Sequence, residues 1–162
     1  MPGRLSQSAE FERALRQPAW ARSAHFAVHF VSERAPLRHP QALSTDLSTI
    51  DEQGSAQLVD DSIRGAPRPA AAAVWLGTVV PKRHARRGVT RSLLKREMRA
   101  AASRPGASGP PGLPAGVWVV RLRAPFDRAR FVSAASAALR EAARAELDTL
   151  FDTARRRSAA PA

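Results

Sequence analysis

The run Val74 to Val80, VWLGTVV, is almost wholly apolar and passes without a linker into PKRHARRGVTRSLLKREMR, the most cationic stretch of the chain. Its lack of polar alternation predicts a strand covered on both faces, and therefore central in a sheet. The cationic stretch must then leave the sheet and fold back as a helix, apolar residues inward and charge outward. Gly88 and Thr90 mark the start of that helix, with Thr90 the expected cap, and it is predicted to run to about Ser103. Val89, Leu93, Leu94 and Ala101 are the expected core residues. Arg87, Arg91, Lys95 and Arg99 recur every four residues as a basic stripe that, at about 100° per residue, drifts by about 40° per step.

From Pro81 to Arg104 there are nine basic residues and one acid, Glu97, a local balance of +8 within a chain total of +12. Exposed helices usually interleave acids with bases and gain pair energy, whereas these cations repel one another. Phosphate would supply the missing counter-charge, with release of condensed counterions. The preference for Arg suits RNA, because guanidinium binds phosphate in bidentate fashion and stacks on unpaired bases. Lys82, Arg83, Arg86, Arg87, Arg91, Lys95, Arg96 and Arg99 are thus the candidate nucleic-acid contacts.

Several function classes lose support. With no Cys and four His, neither a disulfide framework nor a zinc site is expected, and no metal-ligating set stands out. No run of about 18 apolar residues occurs and the N-terminus lacks an apolar signal core, so a cytoplasmic chain away from membranes is expected. No Ser-His-Asp arrangement or phosphate-cradling Gly loop is present, so no catalytic residue is assigned. The basic helix has no helix-turn partner before it, which argues against a sequence-specific DNA binder.

Elsewhere, Ser8 is placed to cap a helix running to about Gln17, stopped by Pro18, with Phe11 and Leu15 on one face. His25 to Val31 alternates as a strand, Phe26, Val28 and Phe30 on one side and His29 on the other. Phe11 is either a core residue or a stacking platform for a base, and His29 either packs at an edge or stacks on a nucleotide. Residues 33–73 hold four prolines, and 41–63 five acids with no Lys or Arg, which reads as a flexible acidic insertion loop. The Pro/Gly-rich 104–116 connects to a third core strand, Val117 to Leu122. Asp127 is expected to cap a long final helix, and 155–162 to form an exposed, disordered tail. The order implies one domain over 1–162, an α+β two-layer sandwich with three helices on a small mixed sheet of about four strands.

The central segment resembles the protein subunit of bacterial ribonuclease P. That family carries a Ser/Ala-Lys-Lys strand end, a short basic turn, and a helix with Arg-Asn-Arg-x-Lys-Arg-x-x-Arg. Here the strand ends in Pro81-Lys82-Arg83, the turn is HARRGVT, and the helix reads Arg91-Ser92-Leu93-Leu94-Lys95-Arg96-Glu97-Met98-Arg99. Ser92 stands where the family has Asn, Leu93 where it has the second Arg, and Pro81 where it has a small residue. Arg4-Leu5 with Glu10-Phe11 is similar to the opening helix, His25 to Val31 to the first long strand, and Val117 to Leu122 to the last.

The resemblance implies a ribosomal-protein-domain-2-like fold with a left-handed βαβ crossover, an exception to the usual hand. It also implies two RNA surfaces. Lys82, Arg83, Arg86, Arg87, Arg91, Ser92, Lys95, Arg96 and Arg99 would face the catalytic RNA. A cleft lined by Phe11 and His29 would take the single-stranded 5′ leader of precursor tRNA. The implied function is that of a monomeric protein in a 1:1 complex with the RNA subunit of an endoribonuclease that removes that leader. Catalysis would belong to the RNA, with Mg²⁺ held mainly by RNA and substrate. The alternative is a structural, ribosomal-type or chaperone-like RNA-binding protein with no role in cleavage.

Overall fold

The computed structural model describes residues 2–32, 73–106 and 112–160. The acidic stretch 33–72, and with it nearly all of the expected insertion loop, lies outside the described residues.

In chain order the elements are β1 (Gly3–Arg4), α1 (Ser8–Arg16), β2 (Ala21–Arg22), β3 (Phe26–Val31), β4 (Val74–Val79), α2 (Gly88–Ser103), β5 (Gly116–Leu122) and α3 (Ala137–Ala159). They form an α+β fold around a mixed sheet in the order β1-β4-β5-β3-β2, the expected sheet with a fifth, two-residue strand. β4 is flanked by β1 and β5, both parallel to it, so the apolar Val74 run is internal as its composition requires. The parallel β4 and β5 are joined through α2, which makes β4-α2-β5 a βαβ crossover. β3 closes the other side, antiparallel to β5 with Val28 opposite Val120.

Alternation along β5 divides the core between the two faces of the sheet. Trp118, Val120 and Leu122 join Phe26, Val28 and Leu76 beneath Leu94 and Met98 of α2 and Leu147, Leu150 and Phe151 of α3. Val117 and Val119 point the other way and pack with Leu5 and Ala14 under α1. Gly116 starts β5 at a φ of 138°, where a Cβ would come within 2.6 Å of the Val31 carbonyl, so only glycine fits this junction. Among the described residues, no helix is long and apolar enough to cross a membrane.

Five expectations at the helix ends are corrected, the first being that Gln7, not Ser8, stands at the cap position of α1 and Ser8 is already its first residue. α2 begins two residues before Thr90, with Arg87 at the cap position, and the Thr90 hydroxyl instead donates to the Ala134 carbonyl at 2.6 Å. Val89 is 60% exposed, because the helix turns Leu93, Leu94 and Met98 to the core and Val89 away from it. α3 does not start at Asp127, which closes only a single turn by accepting from the Ala129 amide. Ser136 is the true cap, its hydroxyl accepting from the Leu139 amide at 3.1 Å. At the far end the helix continues to Ala159 where an exposed tail was expected, and Arg155 is only 2% exposed. Its guanidinium reaches the Arg104 carbonyl at 2.7 Å and the Asp152 carboxylate at 3.1 Å, which stitches α3 to the end of α2.

Candidate nucleic-acid interface

Pro81 breaks the β4 ladder and opens a tight turn in which its carbonyl accepts from the His84 and Ala85 amides, both at 3.1 Å. Ala85 is buried, which anchors the turn, while Lys82, Arg83, Arg86 and Arg87 project into solvent. Arg91 serves a different purpose. It is half-buried, and one of its guanidinium nitrogens donates to the Ala85 carbonyl at 2.9 Å and the Arg86 carbonyl at 2.6 Å. It therefore clamps the basic turn onto the first turn of α2 and fixes where the neighbouring cations point.

The outer face of α2 is not the every-fourth-residue stripe. Lys95 is half-buried beside Leu94, while Ser92, Arg96 and Arg99 are exposed. The drift of about 40° per step carries the stripe from the flank at Arg91 to the solvent side at Arg99, and the outward residues keep i, i+4, i+7 spacing from Ser92. Glu97, the one acid of the segment, is turned inward and is 7% exposed. Among the described residues, no ion pair reaches Lys82, Arg83, Arg86, Arg87, Arg91, Lys95, Arg96 or Arg99. The acids of α3 find other cations, Asp148 pairing with Arg104 at 2.6 Å. The surface thus keeps its excess charge, held on a clamped turn and a packed helix.

On the opposite face of the sheet, α1 lays Phe11 against β4 at Gly77. A Cβ at Gly77 would collide with the Phe11 ring, so the glycine lets the aromatic sit on bare backbone. Gly77 pairs with Val119 and Val119 with His29, which puts the Phe11 seat and His29 in one row across three strands. At strand spacing the two lie about 10 Å apart. The row brings together the two expected cleft residues but in unequal states. Phe11 is half-buried, whereas His29 is 7% exposed, with Nδ1 3.0 Å from the Gln17 carbonyl. A carbonyl only accepts, so Nδ1 carries the proton.

Sequence reasoning passed over Arg121. Two residues beyond Val119 on the same face, it is half-buried with its Nε enclosed and, among the described residues, without a hydrogen-bond partner. The available signal was period two in VWVVRL, which puts this lone cation on the side of Val117 and Val119, away from Trp118.

Burial holds the His29 pKa below its ordinary 6.5, and the Arg121 and Arg22 charges add to the depression, while the bond to the Gln17 carbonyl opposes it. The unfolded chain therefore takes up this proton first. Stability supplied by neutral His29 is complete above 6.5 and is lost as pH falls from there toward the depressed value. An NMR titration of the imidazole is expected to show a midpoint below 6.5; a midpoint at or above it would mean the ring is open to water.

A family model described as Ribonuclease P matches residues 2–151 of the chain. No curated protein and no solved structure matches it.

Proposed function

This chain belongs to the ribonuclease P family and has its role in tRNA processing, with RNA as partner and tRNA as substrate, and from that premise we propose a division of labour between two surfaces. The basic turn and the outer face of α2 hold the catalytic RNA, and the row from Phe11 to His29 with Arg121 receives the 5′ leader of precursor tRNA. The first assignment is supported by an array of cations that, among the described residues, has no ion-pair partner, because such a surface gains most from a polyanion. In the second, Phe11 offers the open aromatic edge, while sealed His29 shapes the floor and Arg121 supplies charge.

In this reading the protein is the non-catalytic subunit of the endoribonuclease complex. Among the described residues no group of three or more His, Asp or Glu is placed to hold a metal ion. The reading assigns Mg²⁺ to the RNA and its substrate. The protein contributes charge and position: it neutralises phosphate crowding where RNA subunit and substrate meet, and it lengthens the contact with substrate through the leader.

The test is reconstitution with a ribonuclease P catalytic RNA at low Mg²⁺. Cleavage of precursor tRNA is expected when chain and RNA are mixed and from neither alone. Cleavage by the protein alone would overturn the division of labour. Tight RNA binding with no gain in cleavage would leave a structural RNA-binding protein.

A further inference from the structure

Between the basic turn and the connector that leads from β5 to α3 lies a cavity of about 390 Å³. Arg83, Arg86, Arg87 and Arg128 contribute to its walls together with Phe126 and Phe131, and among the described residues no Asp or Glu lines it. Among the described residues, no ion pair reaches any of these four guanidinium groups. Both walls are held in place. The Thr90 hydroxyl donates to the Ala134 carbonyl at 2.6 Å and Arg87 to the Val132 carbonyl at 3.3 Å, which ties α2 to the connector. Phe126 stacks on His25 with ring centroids 4.0 Å apart, and His25 is itself held by Glu146 at 2.7 Å. Phe131 meets Phe126 edge-on, at 5.7 Å and 82°.

We propose that this cavity seats a single unpaired nucleotide of an RNA partner, its phosphate among the guanidinium groups and its base against the Phe126–Phe131 wall. The inference rests on the reading that the partner is RNA, and adds to it a site on the connector, with Arg128, Phe126 and Phe131 as new contacts. Charge complementarity selects an anion, since four cations line the cavity and, among the described residues, no acid does. The aromatic wall then distinguishes a nucleotide from a bare phosphate, because stacking on the rings gains energy only when a base is present. The volume falls in the range of small-ligand pockets, about 300–1,000 Å³, which suits one nucleotide. Duplex RNA keeps its bases stacked inside the helix and could offer only backbone here.

The experiment uses the full chain, isotopically labelled, and tracks amide shifts on titration with a single-stranded RNA tetranucleotide, the same backbone with abasic riboses, and a short RNA hairpin with paired ends. The tetranucleotide is expected to shift Arg86, Arg87 and Phe131 to Ala134, with the abasic backbone binding there about tenfold more weakly. Phe131→Leu is expected to cost about tenfold toward the tetranucleotide and nothing toward the abasic backbone. Arg128→Gln, at an exposed residue outside the core, weakens both severalfold and leaves the unfolding midpoint in place. Equal binding of normal and abasic backbones at the connector, stronger shifts there with the hairpin, or shifts confined to the outer face of α2 would overturn the proposal. Cleavage with the catalytic RNA, measured on the unaltered chain, reports separately on the underlying reading. A chain that supports cleavage but shows no connector shift retains its function and loses this site.

Discussion

The triple variant Lys82→Glu, Arg86→Glu, Arg99→Glu is expected to bind the catalytic RNA about a hundredfold more weakly at 0.1 M salt, and its logarithmic salt slope is expected to be shallower by about 2. Each phosphate contact adds about 0.7 to that slope for single strands and about 0.9 for duplex, so three lost contacts remove roughly 2 to 3. Curves differing in slope by about 2 and converging near 1 M salt lie about two decades apart at 0.1 M. The three positions are chosen on structural grounds. All are exposed, and no hydrogen bond or ion pair of their side chains is present among the described residues, so reversal leaves the fold alone. Arg91 is left out because its guanidinium clamps the Ala85 and Arg86 carbonyls, and its loss would mix unlatching of the turn with loss of charge. Titrations across a salt series decide the matter. Unchanged affinity and slope in the triple variant would remove the basic turn and outer α2 face from the interface.

Arg155→Ala is expected to lower stability by about 3 kcal/mol, because it leaves Asp152 and two backbone carbonyls facing a void. The guanidinium spans the carbonyls of Ala101 and Arg104 at the end of α2 and the Asp152 carboxylate, with its central carbon 5.8 Å from the centroid of the Phe151 ring. A cation at a helix C-terminus also complements the negative end of the helix dipole. For a chain of this size the loss corresponds to a fall in unfolding midpoint of roughly 6–12 °C. Arg155→Met keeps the apolar bulk and should recover part of it, whereas a loss under about 1 kcal/mol in the alanine variant would show that the buried network contributes little. The effect reaches the basic face of α2 indirectly, since α3 is what holds α2 against the sheet.

Glu146 works in the same sense toward acid. Burial alone would raise its pKa, but hydrogen bonds from the Ser23 hydroxyl at 2.5 Å, the His25 amide at 2.6 Å and the His25 ring at 2.7 Å outweigh it and hold the carboxylate below its ordinary 4.5. Its stabilisation is complete above that ordinary value and is lost as pH falls through the depressed one. His29 and Glu146 together give a fold that weakens in acid in two stages. Through His25, Glu146 also fixes the Phe126 wall of the connector cavity.

How much of this was legible in the chain varies by residue. VWLGTVV announced an internal strand because only a strand covered on both faces can tolerate so few polar positions, and the Pro81 to Arg99 pattern announced an exposed cationic turn and helix face because its cations had too few acids nearby. Local periodicity also placed Phe26, Val28 and Phe30 on one side and His29 on the other. Asp127, by contrast, has the residue type and position of a cap, yet it closes only one turn. The helix waits for Ser136, because Leu139 is the first residue of α3 that reaches the core. Arg155-Arg156-Arg157 looks like a solvated tail in one dimension, and only the arrival of the α2 terminus makes a buried partner for the first of the three.

The sequence by itself determined the fold class, the three long strands and the stretch where cations concentrate, since these arise from hydrophobic period and local charge density. Tertiary structure alone decided that Arg91 clamps while Arg86 and Arg99 reach out, that His29 is sealed while Arg121 stands beside it, and that a connector 40 residues along from the basic turn closes a cationic aromatic cavity against it, as Arg86 to Phe126 does. The physical reason is range. Period and charge act between residues a few positions apart and can be read from their spacing, whereas clamping, sealing and enclosure are properties of atoms brought together from distant parts of the chain.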